Sequence, residues 1–355
     1  MYTRRVSVSF IRPLDELRRS DAATFGGKSA SLGELLSAGL SVPPGFAISA
    51  DAFSASTAET GLDGTISAAL ARVTPGNLDT VDLASKTIRE AMHFAPLPEG
   101  LRAEIVVRYE GLGADDPPVA VRSSALGEDS AEASHAGQQE SFLWVRGADE
   151  VCDAVRDCWV SLYSPHAISY RATLSKEVRP AMGVTVQLMV DAEVSGVLFT
   201  CNPVSGDPSM VAVNASWGLG IAVVGGESTP DDYLVSKVTG EVVRQTVSEK
   251  SVEYMPDAGG RGTVRRNVPA ERREVPCLGE AELAALVDVA RQIEHHYGSH
   301  QDVEWALGRG KTLPESLVVL QSRPVTTMPQ RAPTDAASAI ALVMSKFGAR
   351  EKPSS

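Results

Sequence analysis

The chain has 355 residues, a formal net charge of −12, 43% hydrophobic and 22% charged residues, ordinary proportions for two or three packed globular units. The acidic balance argues against a nucleic-acid surface, which needs a basic face, but leaves room for a nucleotide, which needs only a few local cations. No apolar run approaches the ~20 residues that span a bilayer, and four cysteines without a C-x-x-C pair suit neither zinc nor a disulfide framework; idle thiols in a reducing cytoplasm are expected.

In chain order, the start "MYTRRVSVSFIRPL" reads as an opening strand, its apolar part too short and broken for a signal segment. "FGGKSASLGELLSAGLSVPPGFAIS" (25–49) reads as loop, helix, turn and strand, with Leu32, Leu35 and Leu36 on one helical face and Gly39 as the stop. Helical sequence follows to about Tyr109, turning at Pro75-Gly76. Residues 117–145 have a strand at each end around a Ser-, Ala- and Gly-rich loop, and 148–172 read as helix. "GVTVQLMV", "SGVLFTCNP" and "MVAVNASWG" are strands, and 225–275 holds several shorter ones with a polar turn at 257–262. "EAELAALVDVARQIEHHYG" is an amphipathic helix, with Leu283, Leu286, Val287, Ala290 and Ile293 on one face. After Pro324, "PQRAPTD" reads as linker, and 334–348 as a short helix that packs on its own domain or docks to a partner chain.

"GRGKT" looks like the end of a P-loop, but that motif needs G-x-x-x-x-G-K-[ST] between a strand and a helix. The position five before Gly310 is Trp305, and an apolar strand follows Lys311-Thr312. A hairpin turn fits the glycines better. On its strands, alternation puts Asp302 and Glu304 on one face, and likewise Gln321 and Arg323. Paired, they offer hard oxygens for Mg²⁺ beside a cation; a solvated face with a surface ion pair is the other reading. Gly26, Gly27 and Lys28 at a helix start suit an anion, or are an ordinary glycine-rich entry with an exposed lysine. Arg122 at the end of an apolar strand can fork two phosphate oxygens, with small residues after it and Glu140 at or before the next strand; the bland reading is a surface loop, with His135 incidental rather than a phosphoryl carrier. Gln187, with backbone groups of Met189 and Val190, suits an adenine edge, or is a satisfied core amide. His295-His296 lack metal spacing and read as surface residues.

Singly these features are weak, but as an ordered set they resemble the N-terminal nucleotide-binding region shared by phosphoenolpyruvate synthase, pyruvate phosphate dikinase and rifampin phosphotransferase. The carrying segments are "FGGKSASLGELLSAGLSVPPGFAIS", "VAVRSSALGEDSAEASHAGQQESFL", "VQLMVDAEVSGVLFTCNPVSGD", "NASWGLG" with "TPDDYLV", and "QDVEWAL…LVVLQSRPVTT", spanning about residues 10–327. The resemblance implies an α+β, ATP-grasp-like fold of two lobes with ATP between them: an N-terminal lobe at 1–180, a C-terminal lobe with adenine and magnesium sites at 181–327, and a linker with a tail at 328–355. It implies that Lys28 and Arg122 hold ATP phosphates and that Glu140 lies on the nucleotide or metal side. Gln187 and the Met189–Val190 backbone would lie near adenine. Asp302, Glu304 and Gln321 would place Mg²⁺, and Arg323 would clamp the γ-phosphate. Lys28, Arg122 and Arg323 are thus the catalytic candidates.

Two departures stand out. Relatives carry Glu after "GLG" where this chain has Ile221, and Glu227, six residues on, is the alternative carboxylate. No "GG-x-x-CH" segment, the setting of the family's phosphorylated His, occurs. The implied activity is therefore the ATP half of a split dikinase, in which a His on a separate subunit is phosphorylated, AMP and phosphate leave, and a hydroxyl acceptor is served. This pattern is similar to phenylphosphate synthase and the cresol-phosphorylating enzyme, where the acceptor is a phenol or benzylic alcohol. A self-sufficient kinase giving ADP, a non-catalytic ATP-binding regulatory module and a piece of a longer protein are the alternatives. Retention of Lys28, Arg122, Asp302, Glu304, Gln321 and Arg323 argues against the regulatory module.

Overall fold

A computed structural model describes residues 9–126, 140–173 and 180–325 of the chain. His135, the 334–348 helix and the 328–355 tail lie outside the described residues. The chain divides into two compact units, one of Met1–Gly33 with Pro44–Met189, the other of Glu34–Pro43 with Val190–Ser355.

The first unit carries strands β1 (Ile11–Pro13), β2 (Gly45–Ile48), β3 (Val119–Ala125), β4 (Ser141–Val145) and β5 (Met182–Leu188). They form one antiparallel sheet in the order β1-β2-β5-β3-β4. β5 lies beyond the 180/181 boundary expected from sequence, yet belongs to this unit because it pairs between β2 and β3. The helices are α1 (Ala22–Phe25), α2 (Gly27–Ser37), α3 (Ala50–Glu59), α4 (Leu62–Leu70), α5 (Leu78–Phe94), α6 (Glu99–Glu110), α7 (Ala148–Ser161) and α8 (Pro165–Ala172). α5 starts where the Asn77 side chain accepts from Thr80 N–H, and α8 where Ser164 caps Ala167 N–H ahead of Pro165. Gly39, in the left-handed region at φ +79, follows α2.

Alternation decides which sheet face the helices cover. Val119, Val121, Val184, Val186, Phe46 and Ile48 enter one buried cluster with Phe53, Ile88, Ile105, Val155 and Trp159 from the helices. Phe53 and Trp159 meet with ring centroids 5.6 Å apart and tilted. Cys152 and Cys158 are free thiols in this core, and burial pushes the Cys152 thiol up to about 11. The opposite sheet face carries Arg122, Ser124, Thr185 and Gln187.

The second unit carries β6 (Ala192–Phe199), β7 (Met210–Trp217), β8 (Asp231–Ser236), β9 (Val242–Thr246), β10 (Val252–Pro256), β11 (Thr263–Asn267), β12 (Gln301–Gly308) and β13 (Leu317–Pro324), with helices α9 (Ile221–Val224), α10 (Ala270–Arg273) and α11 (Glu280–Tyr297). Six strands make an antiparallel sheet in the order β13-β12-β6-β7-β8-β9; β10 and β11 form a separate hairpin around the polar 257–262 turn. α11 lies against β6 and buries Leu283, Leu286, Val287, Ala290 and Ile293, as its periodicity predicts. His295 and His296 are exposed, His296 meeting Glu34 at 2.9 Å. No helix among the described residues is long and apolar enough to cross a membrane.

Candidate functional site

The first unit gathers its candidate residues around the start of α2. Gly26 has φ +83, and a Cβ there would meet the Ser124 carbonyl oxygen at 2.2 Å. Gly183 is equally tight, since its Cβ would stand 2.3 Å from the Phe25 carbonyl oxygen. Two bare backbones thus let the helix entry settle onto β3 and β5. The Ser29 N–H donates to Ser124 Oγ at 3.2 Å, and the Ser29 and Thr185 hydroxyls share a hydrogen bond of 2.7 Å. Thr185 is the register partner of Arg122. The neighbour of Lys28 is therefore tied to the neighbour of Arg122, on one sheet face.

Lys28 is buried, with 8% of its surface exposed, unlike the exposed lysine of the bland sequence reading. Arg122 lies mid-strand, not at the strand end, because Ser123, Ser124 and Ala125 continue the pairing with β5. Small residues that suggested a loop fit equally well between two strands. Glu140 directly precedes β4, and its carbonyl oxygen accepts from the Ser123 N–H at 3.0 Å and the Ser123 hydroxyl at 3.2 Å. Arg122 faces Ser141 on that strand. The Cys158 thiol senses this group: burial raises its pKa, Asp157 and Glu140 raise it further, and Lys28 opposes them.

Gln187 is buried on the Arg122 face, opposite Gly45 and Ala120. The Met189 N–H already donates to the Pro118 carbonyl at 2.9 Å, so what Met189 retains for a purine edge is its carbonyl. Val190, the next residue, begins the second unit.

In the second unit "GRGKT" runs from the buried end of β12 at Gly308 into the connection of the β12–β13 hairpin, with Gly310, Lys311 and Thr312 exposed and no helix following. The strands hold the chemistry. Asp302 is the register partner of Arg323, and Glu304 of Gln321, with an irregularity after Glu304. Arg323 Nε donates to Asp302 Oδ2 at 2.9 Å. Asp302 and Gln321 are buried and Glu304 half-buried. The facing oxygens of Glu304 and Gln321, with Asp302 one row on, have the hard-donor chemistry that fits Mg²⁺. Among the described residues no group of three or more His, Cys, Asp or Glu is gathered for a metal, so such an ion would draw its remaining ligands from water and substrate phosphates.

The sequence reading missed a polar network on β7 and β8. Asp231 and Lys250 are both fully buried and paired at 2.5 Å; Asp231 also accepts from the N–H groups of Ser248 and Cys277 and from the Tyr233 hydroxyl. Burial, then the Asp231 charge, push the Tyr233 pKa up. Asp232 accepts from Asn214 Nδ2 at 3.2 Å and an Arg244 terminal nitrogen at 2.8 Å. "DDYLV" shows the carboxylates, but no local pattern links them to Lys250 or Asn214. Glu227 accepts from the Tyr254 hydroxyl at 2.7 Å and Arg265 Nε at 2.9 Å, fastening its turn to the β10–β11 hairpin. These bonds, the one to Arg265 foremost, hold its carboxyl below the usual range.

With this geometry in place, comparison with known proteins identifies the lineage. The family model for the pyruvate phosphate dikinase AMP/ATP-binding domain matches residues 22–342. A probable phosphoenolpyruvate synthase of Methanothermobacter thermautotrophicus is 40% identical over 326 residues, covering 90% of this chain and 46% of that protein. The phosphoenolpyruvate synthases of Aeropyrum pernix and Pyrococcus furiosus are each 37% identical, covering 88% and 93% of this chain and 42% and 45% of theirs. The chain spans less than half the length of these relatives. It belongs to the pyruvate phosphate dikinase AMP/ATP-binding domain family.

Proposed function

We propose that this chain binds Mg-ATP in an ATP-grasp-like manner and supplies the ATP half of a split dikinase. In this reading Lys28, Arg122 and Arg323 hold phosphates, with Glu140 on the nucleotide or metal side. Gln187, Met189 and Val190 lie at the adenine. Glu304, Gln321 and Asp302 hold magnesium, which supplies charge neutralisation on the transferring phosphates. The observation that carries the reading is the hairpin register, which sets Glu304 opposite Gln321 and Asp302 opposite Arg323.

Phosphoryl transfer asks a protein mainly for positioning and for charge aimed at the phosphates. Asp302 fixes the guanidinium through Nε, so that a γ-phosphate would meet the terminal nitrogens of Arg323. Buried Lys28 lies in a low-dielectric setting, where its charge acts strongly. The phosphoryl group goes to a His on a separate cytoplasmic subunit; one ATP and one water yield phospho-His, AMP and phosphate. The phospho-His then serves a hydroxyl acceptor, a phenol or benzylic alcohol such as a cresol.

The test incubates the chain with ATP and Mg²⁺, alone and with a candidate His-bearing partner and alcohol acceptors. AMP formation that requires both chains supports the proposal. ADP formed by this chain alone overturns it in favour of a self-sufficient kinase.

A further inference from the structure

The β-register of the second unit runs Gln321, Glu304, Val197, Asn214 and Asp232 across five neighbouring strands. These five share one face. The next row along that face is Arg323, Asp302, Phe199, Ala212 and Leu234, where Phe199, Ala212 and Leu234 join Val197 in a small buried apolar cluster. Asn214 is a polar group set into this face and is 1% exposed. Its Nδ2 donates to Asp232 Oδ2, and Arg244 holds the other oxygen of Asp232. Turning the amide over would set Oδ1 against a carboxylate, so the network fixes which end is which. Asn214 Oδ1 is then a buried acceptor with no hydrogen-bond partner among the described residues. Buried acceptors are rarely left so.

We propose that Asn214 Oδ1 accepts a hydrogen bond from an O–H donor of the bound Mg-nucleotide, either a ribose hydroxyl or a water on the cation. This rests on the reading that Glu304 and Gln321 hold the ion. An amide oxygen rejects phosphate oxygens, which are acceptors themselves. The adenine amino group is an N–H donor, for which the proposed function has Gln187. The remaining donors are hydroxyl and metal-bound water. Two strand spacings of ~4.8 Å separate Glu304 from Asn214, about 10 Å, with Val197 between them. That span suits a hydrated ion or a sugar better than one ion ligated directly by both side chains. Asp232, pinned by Arg244, keeps the amide from rotating.

The experiment measures binding by calorimetry for the native chain and Asn214→Ala, with ATP, 2′-deoxy-ATP and 3′-deoxy-ATP at saturating Mg²⁺, and with Mg²⁺ at fixed ATP. If the donor is ribose, the native chain prefers ATP over one deoxy analogue about five- to tenfold, the range of one neutral hydrogen bond, and the variant loses that preference. If it is metal-bound water, the deoxy analogues bind alike and the variant weakens apparent Mg²⁺ affinity about five- to tenfold. Deoxy preference and Mg²⁺ affinity both within twofold of native in Asn214→Ala overturn the proposal, leaving an acceptor for a structural water only. Should Asn214→Ala fail to fold, Asn214→Ser, whose hydroxyl donates but whose oxygen stands further back, gives the same readings. Failure of the native chain to bind ATP overturns the nucleotide reading itself, a different result from an Asn214 without effect.

Discussion

Arg323 and Asp302 face each other across the β12–β13 hairpin, and Arg323 Nε donates to Asp302 Oδ2 at 2.9 Å. The side chain of Asp302 is 3% exposed and that of Arg323 32%, so the carboxylate depends on its partner more than the guanidinium does. Arg323→Ala is expected to lower turnover by about 10²–10³ with the fold retained. It also leaves Asp302 buried with one donor fewer, costing about 1–2 kcal/mol. Asp302→Asn in that background restores part of the stability and none of the turnover. Thermal unfolding and AMP formation on the single and double variants check this; equal melting points for native and Arg323→Ala would refute the coupling.

Glu304 stands opposite Gln321, and Glu304→Gln keeps the oxygen while removing the charge. The expected outcome is a roughly tenfold weaker apparent Mg²⁺ affinity and at least a hundredfold loss of turnover, the unfolding temperature changing little because Glu304 is only half-buried. Mg²⁺ titrations of turnover test it, and a native Mg²⁺ dependence removes Glu304 from the metal site.

Gly26→Ala adds a methyl at φ +83, 2.2 Å from the Ser124 carbonyl oxygen. Backbone neighbours cannot yield as a flexible side chain can, so a loss of about 2–4 kcal/mol is expected. The seat of α2 on β3 is disturbed with it, and nucleotide affinity should fall together with stability. Urea unfolding and ATP binding on the same variant decide the point; Gly64→Ala, where a Cβ meets nothing within 4 Å, is the control.

The Asp231–Lys250 pair has no exposed surface on either side chain. Lys250→Met is therefore expected to cost about 3–5 kcal/mol, the penalty of a buried charge stripped of its partner. The urea midpoint reads it, and a shift below 1 kcal/mol would mean that water reaches Asp231 in solution.

Glu227 titrates below its ordinary value because Arg265 and Tyr254 bind its ionised form. A depressed carboxyl contributes stability fully above its unfolded pKa, and loses it as pH falls through the folded one. Glu227→Gln should therefore lower the melting temperature slightly at pH 7, by an amount that shrinks as pH falls below about 4.5. Melting curves from pH 3 to 8 test this; a gap of the same size at pH 3 as at pH 7 contradicts the assignment.

The geometry of the candidate hairpin was legible because its clues are local. Alternation along "QDVEW" and "LQSRP" puts Asp302 with Glu304, and Gln321 with Arg323, on one face, which the hairpin register bears out, and the failed P-loop spacing dismisses "GRGKT". In sequence Arg122 looks like a strand end because Ser and Ala resemble loop sequence, while the pairing with β5 that carries the strand onward lies some sixty residues away. Lys28 was equally opaque: its burial follows from the close approach of Gly26 to Ser124, a contact between segments about 100 residues apart. The sequence around Asn214, Asp231 and Lys250 gives no local sign of which group each will meet, since each polar group makes sense only beside its partner.

The amino-acid sequence by itself determined the order and kind of elements, the amphipathic face of α11, the hairpin and the family, because hydrophobic periodicity, turn chemistry and motif order are written over short stretches of chain. Only the tertiary structure decided that β5 joins the first unit, that Lys28 is buried beside the Arg122 face, and that Asn214 shares a row with Glu304 and Gln321. Strand neighbours and register arise from pairings between distant segments, and the chain carries no local record of which strand will lie beside which.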